Sequence, residues 1–127
     1  MTPDGSDEAT GVATRKSWKT APHPTRRDHF KLPFTFNERE VEKLLRGHVP
    51  GGMDDKWFIF HENSWLYFHR SWTGNCIFAL RLDLASRPVR VIDAWASRDA
   101  AQYRGSDIAD DERLVSDLIR SMILQGR

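Results

Sequence analysis

Apolar and aromatic positions crowd together between residues 57 and 84, in short runs separated by polar turn formers. Residues 57–61 (WFIFH) and 65–70 (WLYFHR) read as two strands, because aromatic side chains suit a pleated, half-buried surface. Ser71, Trp72, Thr73, Gly74 and Asn75 have turn chemistry and lead into a third strand over 76–84. There the period is two, with Cys76, Phe78, Leu80 and Leu82 on the more apolar side and Ile77, Ala79, Arg81 and Asp83 on the other. Residues 89–95 alternate in the same way, and the short turn over 86–88 makes them an antiparallel neighbour of the third strand.

Helical spacing appears on either side of these strands. Asn37 followed by Glu40 has the form of a capping box, Val41, Leu44 and Leu45 give one apolar stripe, and Gly47 with Pro50, Gly51 and Gly52 ends the helix. That glycine-rich turn lacks the lysine and hydroxyl of a phosphate-binding loop. Near the C-terminus Val115, Leu118, Ile119 and Met122 recur at helical spacing, with Asp110, Asp111 and Glu112 where acidic groups complement the helix dipole. The pattern predicts an α+β, two-layer domain: a four-stranded antiparallel meander flanked by an N-terminal and a C-terminal helix, both covering one sheet face.

Which residues occupy the uncovered face depends on the first hairpin, since a one-residue change of register exchanges the faces of a strand. A three-residue loop of Glu62, Asn63 and Ser64 places Phe58, Phe60, Leu66 and Phe68 on one apolar face, and Trp57, Ile59, His61, Trp65, Tyr67 and His69 on the other. A two-residue Asn63-Ser64 turn instead puts His61 and Arg70 among Ile59, Leu66 and Phe68, where each polar group needs a partner. On that desolvation argument the three-residue register is expected, and with it an open face carrying Trp57, His61, Trp65, Tyr67 and His69.

Composition narrows the class. The 127 residues, 39% of them hydrophobic, suit a single core. Residues 1–31 show no apolar period and mix basic residues with Asp4, Asp7, Glu8 and Asp28; they read as a disordered tail ahead of one α+β domain over 32–127. A formal net charge of +1 makes no global case for nucleic acid or a membrane as partner. Cys76, the single cysteine, excludes an intramolecular disulfide and a multi-cysteine zinc site. No apolar run approaches the roughly 20 residues of a membrane span, and the N-terminus has no secretory signal, so a cytoplasmic protein is expected.

The chemistry available is limited. His61 and His69 as an acid–base pair lie about four residues apart along the hairpin, roughly 13 Å at strand rise. A metal site of His61, His69 and Cys76 fails because its ligands do not converge, and no metal or cofactor is expected. His69-Arg70-Ser71 matches half of the paired H-x-[ST] pattern of two-histidine phosphoesterases, and the second half is missing. Stacking is better supported: Trp57, Trp65, Tyr67 and Trp72 offer planar faces to a nucleobase, with His69 beside them and Arg81 or Arg70 for a phosphate, against the blander reading of arginine salt bridges to Asp83 or Asp93. An exposed aromatic sheet face equally suits a protein partner or a homodimer.

The run Trp57-Phe58-Ile59, then Trp65-Leu66-Tyr67-Phe68-His69-Arg70-Ser71-Trp72-Thr73-Gly74, resembles an uncharacterised family of small bacterial proteins. The resemblance covers about the last three-quarters of the chain. Such domains sometimes accompany macrodomain or ADP-ribosylglycohydrolase proteins, which implies an ADP-ribose or nucleotide context without assigning an activity. None of the acidic or glycine-rich motifs of those hydrolases is present. The expectation is a small binding or interaction domain that recognises a nucleotide or ADP-ribose-like ligand through Trp57, Trp65, Tyr67, His69, Trp72 and Arg81. The alternatives are a small hydrolase or nuclease using His69 with Arg70, Arg81 and Tyr67, and a homodimeric structural domain.

Overall fold

The computed structural model describes residues 11–105 and 107–124, apart from the side chain of Met122, one of the four stripe residues of the C-terminal helix. Its elements are β1 (Arg27–Phe30), β2 (Thr35–Phe36), α1 (Glu38–Arg46), β3 (Trp57–Glu62), β4 (Trp65–Arg70), β5 (Cys76–Asp83), β6 (Val89–Ser97) and α2 (Ile108–Leu118), which continues as a π-helical turn over Ile119–Leu124. The class is α+β, as expected, and β3 to β6 follow one another as antiparallel neighbours. The sheet, however, has six strands rather than four. Its order is β1-β6-β5-β4-β3, and β2 also pairs with β6, beyond the part of that strand that β1 occupies.

Helix α1 starts as its sequence dictates. The Asn37 side chain accepts the Glu40 N–H at 2.8 Å, and the Glu40 carboxylate accepts the Asn37 N–H at 2.9 Å. The helix stops at Gly47, whose φ of 69° and ψ of −153° lie in a region essentially reserved for glycine. A β-carbon there would overlap the Ile59 carbonyl oxygen, because His48 and Ile59 exchange backbone hydrogen bonds and hold the turn flat against β3. Gly47→Ala is expected to cost about 2 to 3 kcal/mol, read as a lower urea midpoint at unchanged slope.

The first hairpin takes the register that desolvation disfavoured. His61 pairs with Leu66 and Glu62 with Trp65, leaving a two-residue turn in which Asn63 (φ 54°) and Ser64 (φ 71°) both adopt positive φ. That is the turn whose twist matches two antiparallel strands. His61 and Arg70 do point to the helix-covered side, but they stand near the ends of their strands and are only half-buried. The Arg70 guanidinium lies 4.9 Å from the centre of the Trp57 ring, and a ring nitrogen of His61 accepts the Ser64 N–H at 3.2 Å. The faces therefore exchange. Trp57, Ile59, Leu66 and Phe68 join Phe78, Leu80, Leu44 and Val115 in the main core beneath the helices, while Phe58 and Phe60 turn to the other side with Tyr67.

That other side is covered too, and by the segment expected to be a tail. Residues 1–10 lie outside the described part, but from Gly11 onward the chain crosses the sheet. Ala13 packs on Phe58 and Phe60, and a 3-10 turn at Arg15–Ser17 places the Arg15 guanidinium over the Phe60 ring and against the Glu62 carboxylate. Trp18 donates its indole N–H to the Ser71 carbonyl at 2.7 Å, Ala21 N–H reaches the Gly74 carbonyl at 2.8 Å, and the chain then enters the sheet as β1. Of the tail expected over 1–31, residues 1–10 lie outside the described residues, and residues 11–31 are thus corrected to part of the folded domain. Its cover is an irregular third layer held by individual polar contacts, and such contacts leave no period in the sequence.

Candidate functional site

The turn between β4 and β5 projects one large aromatic ring into solvent. Gly74, at φ 81°, closes the turn by donating its N–H to the Arg70 carbonyl, while Arg70 N–H reaches the Asn75 carbonyl, both at 2.8 Å. Ser71 is drawn inward: its N–H meets the Lys56 carbonyl at 2.9 Å and its hydroxyl the Asp55 carbonyl at 2.7 Å. The next side chain, Trp72, is 64% exposed. It is nevertheless held in place, since its indole N–H donates to the Met53 carbonyl at 2.9 Å and its own carbonyl accepts the Lys19 ammonium at 3.0 Å.

Two hollows share Trp72 in their lining. One, of about 430 Å³, is lined by Trp18, Lys19, Met53 and Trp72 and is mainly apolar. The other, of about 340 Å³, is lined by Lys56, Arg70, Trp72 and Thr73. Met53, at 78%, and Trp72 are the two most exposed large apolar side chains among the described residues, and Trp18 beside them is 37% exposed. Three cations therefore border a fixed, exposed aromatic plane. The nearby Asp55 carboxylate is turned away, to a ring nitrogen of His48 at 2.6 Å and the Gly51 N–H at 3.1 Å.

The residues singled out from the sequence do not form one site. Trp57 belongs to the helix-covered core, 6% exposed and stacked on Phe78 with ring centres 6.0 Å apart. Trp65 and Tyr67 lie on the opposite face, half-buried and stacked on each other at 6.3 Å. Arg81 is exposed across from Trp65, and Trp72 stands apart at the β4–β5 turn. His69 is fully buried, its Nδ1–H donating to the Gly74 carbonyl at 2.7 Å. Burial pushes its pKa down to about 4, against the opposing pull of the Gly74 hydrogen bond. Arg70 follows His69 on the strand and points to the other face. The arrangement a hydrolase would need, His69 and an arginine converging in an open cleft, is therefore not formed by these residues.

Sequence reasoning missed Trp18, Lys19, Met53 and Lys56. Trp18 offered the one available signal, as a large indole in an otherwise polar stretch; the other three become neighbours only when the N-terminal segment and the α1–β3 loop meet beside the Trp72 turn. Comparison with protein-family models, with curated proteins and with solved structures gives no match to this chain.

Proposed function

We propose that the chain is a small binding domain whose site is the groove around Trp72, and that it takes a flat anionic ligand of the nucleotide or ADP-ribose kind. The observation that carries this reading is the exposed but hydrogen-bonded indole of Trp72, which lines both an apolar hollow and one flanked by Lys56 and Arg70. An immobilised ring loses little freedom when a base stacks on it, and such stacking contributes about 1 to 3 kcal/mol per base. Guanidinium and ammonium groups at the rim match phosphate oxygens. The resemblance of the Trp65-to-Gly74 motif to domains found beside ADP-ribose enzymes supports the same ligand class. Of the residues expected to bind, Trp72 alone is retained in this site, with Trp18, Lys19, Met53, Lys56 and Arg70 joining it.

Heteronuclear NMR titration with ADP-ribose and with mononucleotides tests the proposal. The expected result is a set of saturable shifts at Trp18, Met53, Lys56 and Trp72, with Trp72→Ala weakening binding by roughly 5- to 100-fold while the melting midpoint stays put. Raising the salt concentration should weaken binding further. Shifts absent from these residues, or a dimeric light-scattering mass that Trp72→Ser converts to monomer, would reject the ligand reading; the second outcome would assign the patch to another copy of the chain.

A further inference from the structure

We propose that His23, His69 and Cys76 together form a binding site for a thiophilic divalent cation such as zinc, which ties the N-terminal segment to the sheet. The three residues come from separate parts of the chain. His69 and Cys76 are directly paired neighbours on β4 and β5, at the point where the ladder shifts register, and His23 belongs to the segment that crosses above them. One ligand atom from each lies within 4.8 Å of the other two. Nitrogen and sulfur ligands about 2.0 to 2.3 Å from one ion stand roughly 3.5 Å apart. The exposed His23 can swing inward to close that gap.

The decisive observation is at His69. Its Nδ1–H is committed to the Gly74 carbonyl, which leaves Nε2 as the nitrogen bearing a lone pair. That Nε2 is buried and, among the described residues, has no hydrogen-bond partner. A buried acceptor left without a donor is costly, and a cation in the His69–Cys76–His23 space removes the cost. A histidine that donates one ring N–H to a backbone carbonyl and keeps its other nitrogen buried with a free lone pair also has the arrangement common to metal-ligating histidines, in which the outer hydrogen bond fixes tautomer and ring orientation.

The surroundings are compatible with an ion. His23 lies against Tyr67 and Trp95, with ring centres 4.8 and 5.7 Å apart, and Phe60 and Phe58 flank His69 on the inner side. The nearby cations are otherwise engaged: Arg15 pairs with Glu62, and Arg27 lies over the Trp95 ring. Burial, followed by Arg15 and Arg27, lowers the His23 pKa, so both imidazoles are neutral at neutral pH. Burial holds the Cys76 thiol up at about 12, so binding must expel the thiol proton to solvent, as thiophilic ions do on coordination. Two imidazoles and one thiolate leave a fourth position for water or an added ligand. The His61, His69 and Cys76 set considered from the sequence had the wrong first histidine: His61 is on the other face, and the N-terminal segment supplies His23 in its place.

Cobalt titration of the full chain, after removal of metal with a chelator, reads the site directly, because Cys76 is the single cysteine and any thiolate-to-cobalt charge-transfer band must arise from it. One equivalent of cobalt should develop that band, zinc should bleach it, and zinc should raise the melting midpoint in a concentration-dependent way. His23→Ala, at an exposed position, should keep the fold and weaken binding at least 10-fold; Cys76→Ser should abolish the band. Absence of the band in the wild-type chain, or a band and midpoint shift that His23→Ala leaves unchanged, would overturn the assignment.

Discussion

Deleting the chain through Arg26 is expected to lower the stability of the domain by about 3 to 5 kcal/mol, a drop in melting midpoint of roughly 10 to 20 °C for a chain of this size. The deletion stops short of β1, so the sheet keeps its strands. It removes Ala13 from Phe58 and Phe60, which are fully buried in its presence, and uncovers the half-buried Tyr67 beside them. Returning one large aromatic side chain to water costs about 1.5 to 3 kcal/mol, and the truncation partly uncovers several. The entropy recovered by the released residues offsets some of that loss. Melting should be followed with a chelator present, so that loss of His23 as a ligand does not enter the comparison. Ala13→Asp, which sets a carboxylate against the same two rings, should reproduce much of the drop. A truncated chain that melts within about 2 °C of the parent would show that the segment lies on the sheet without stabilising it.

Asp111→Ala is expected to cost a similar amount, about 3 to 5 kcal/mol. Asp111 sits in α2 with its side chain fully buried, accepting the Arg98 guanidinium at 2.5 Å on one oxygen and the Tyr103 hydroxyl at 2.6 Å on the other. Arg98 follows β6 directly and also holds Asp28 of β1 at 2.8 Å, so the carboxylate joins helix, sheet edge and loop. Burial, then the hydrogen bond to Asp111, holds the Tyr103 hydroxyl well above the usual phenol range, and the phenol remains a donor. With alanine in place, Tyr103 loses its acceptor and Arg98 keeps only Asp28 and backbone carbonyls, while the space of the fully buried carboxylate is left empty. Asp111→Asn keeps the shape and one of the two acceptor oxygens but removes the charge and sets an NH2 donor against the other partner, so it should fall between alanine and wild type in urea denaturation. Equal losses for the two variants would show that the site requires the charged carboxylate with both acceptor oxygens, and not its shape.

Local signals in the sequence were sufficient for the elements that local physics controls. The capping box at Asn37 and Glu40, the stop at Gly47, the extents of β5 and β6 and the burial of Val115, Leu118 and Ile119 each depend on neighbours a few residues away, and each is found close to where the pattern puts it. The strict alternation read for β5 and β6 is corrected, because register shifts in both strands place Cys76 with Ala79 and Trp95 on one face, while Ile77, Phe78, Leu80 and Val89 belong to the main core, with Val91 packed against it. The hairpin register follows a local feature: Asn63 and Ser64 suit a two-residue turn, and the half-buried His61 and Arg70 stand near strand ends, where polar atoms find partners. β1 and β2 were missed because they are short edge strands whose stability comes from β6, more than fifty residues later, and not from their own composition.

The site depended still more on distant contacts. Trp72 was among the expected binding residues, yet its partners come from the N-terminal segment and the α1–β3 loop, brought beside it by single hydrogen bonds, some backbone to backbone and others from the Trp18, Lys19, Ser71 and Trp72 side chains to backbone carbonyls. The same holds for His23 beside His69 and Cys76. By itself the sequence determined an α+β chain with a paired-strand centre, two helices, the first of them capped, and an aromatic-rich hairpin, since periodicity and caps are properties of neighbouring residues. Only the tertiary structure decided which face is covered, that a polar N-terminal segment does the covering, and which aromatic ring remains in solvent, because those outcomes rest on single hydrogen bonds and ion pairs between segments that carry no periodic signature.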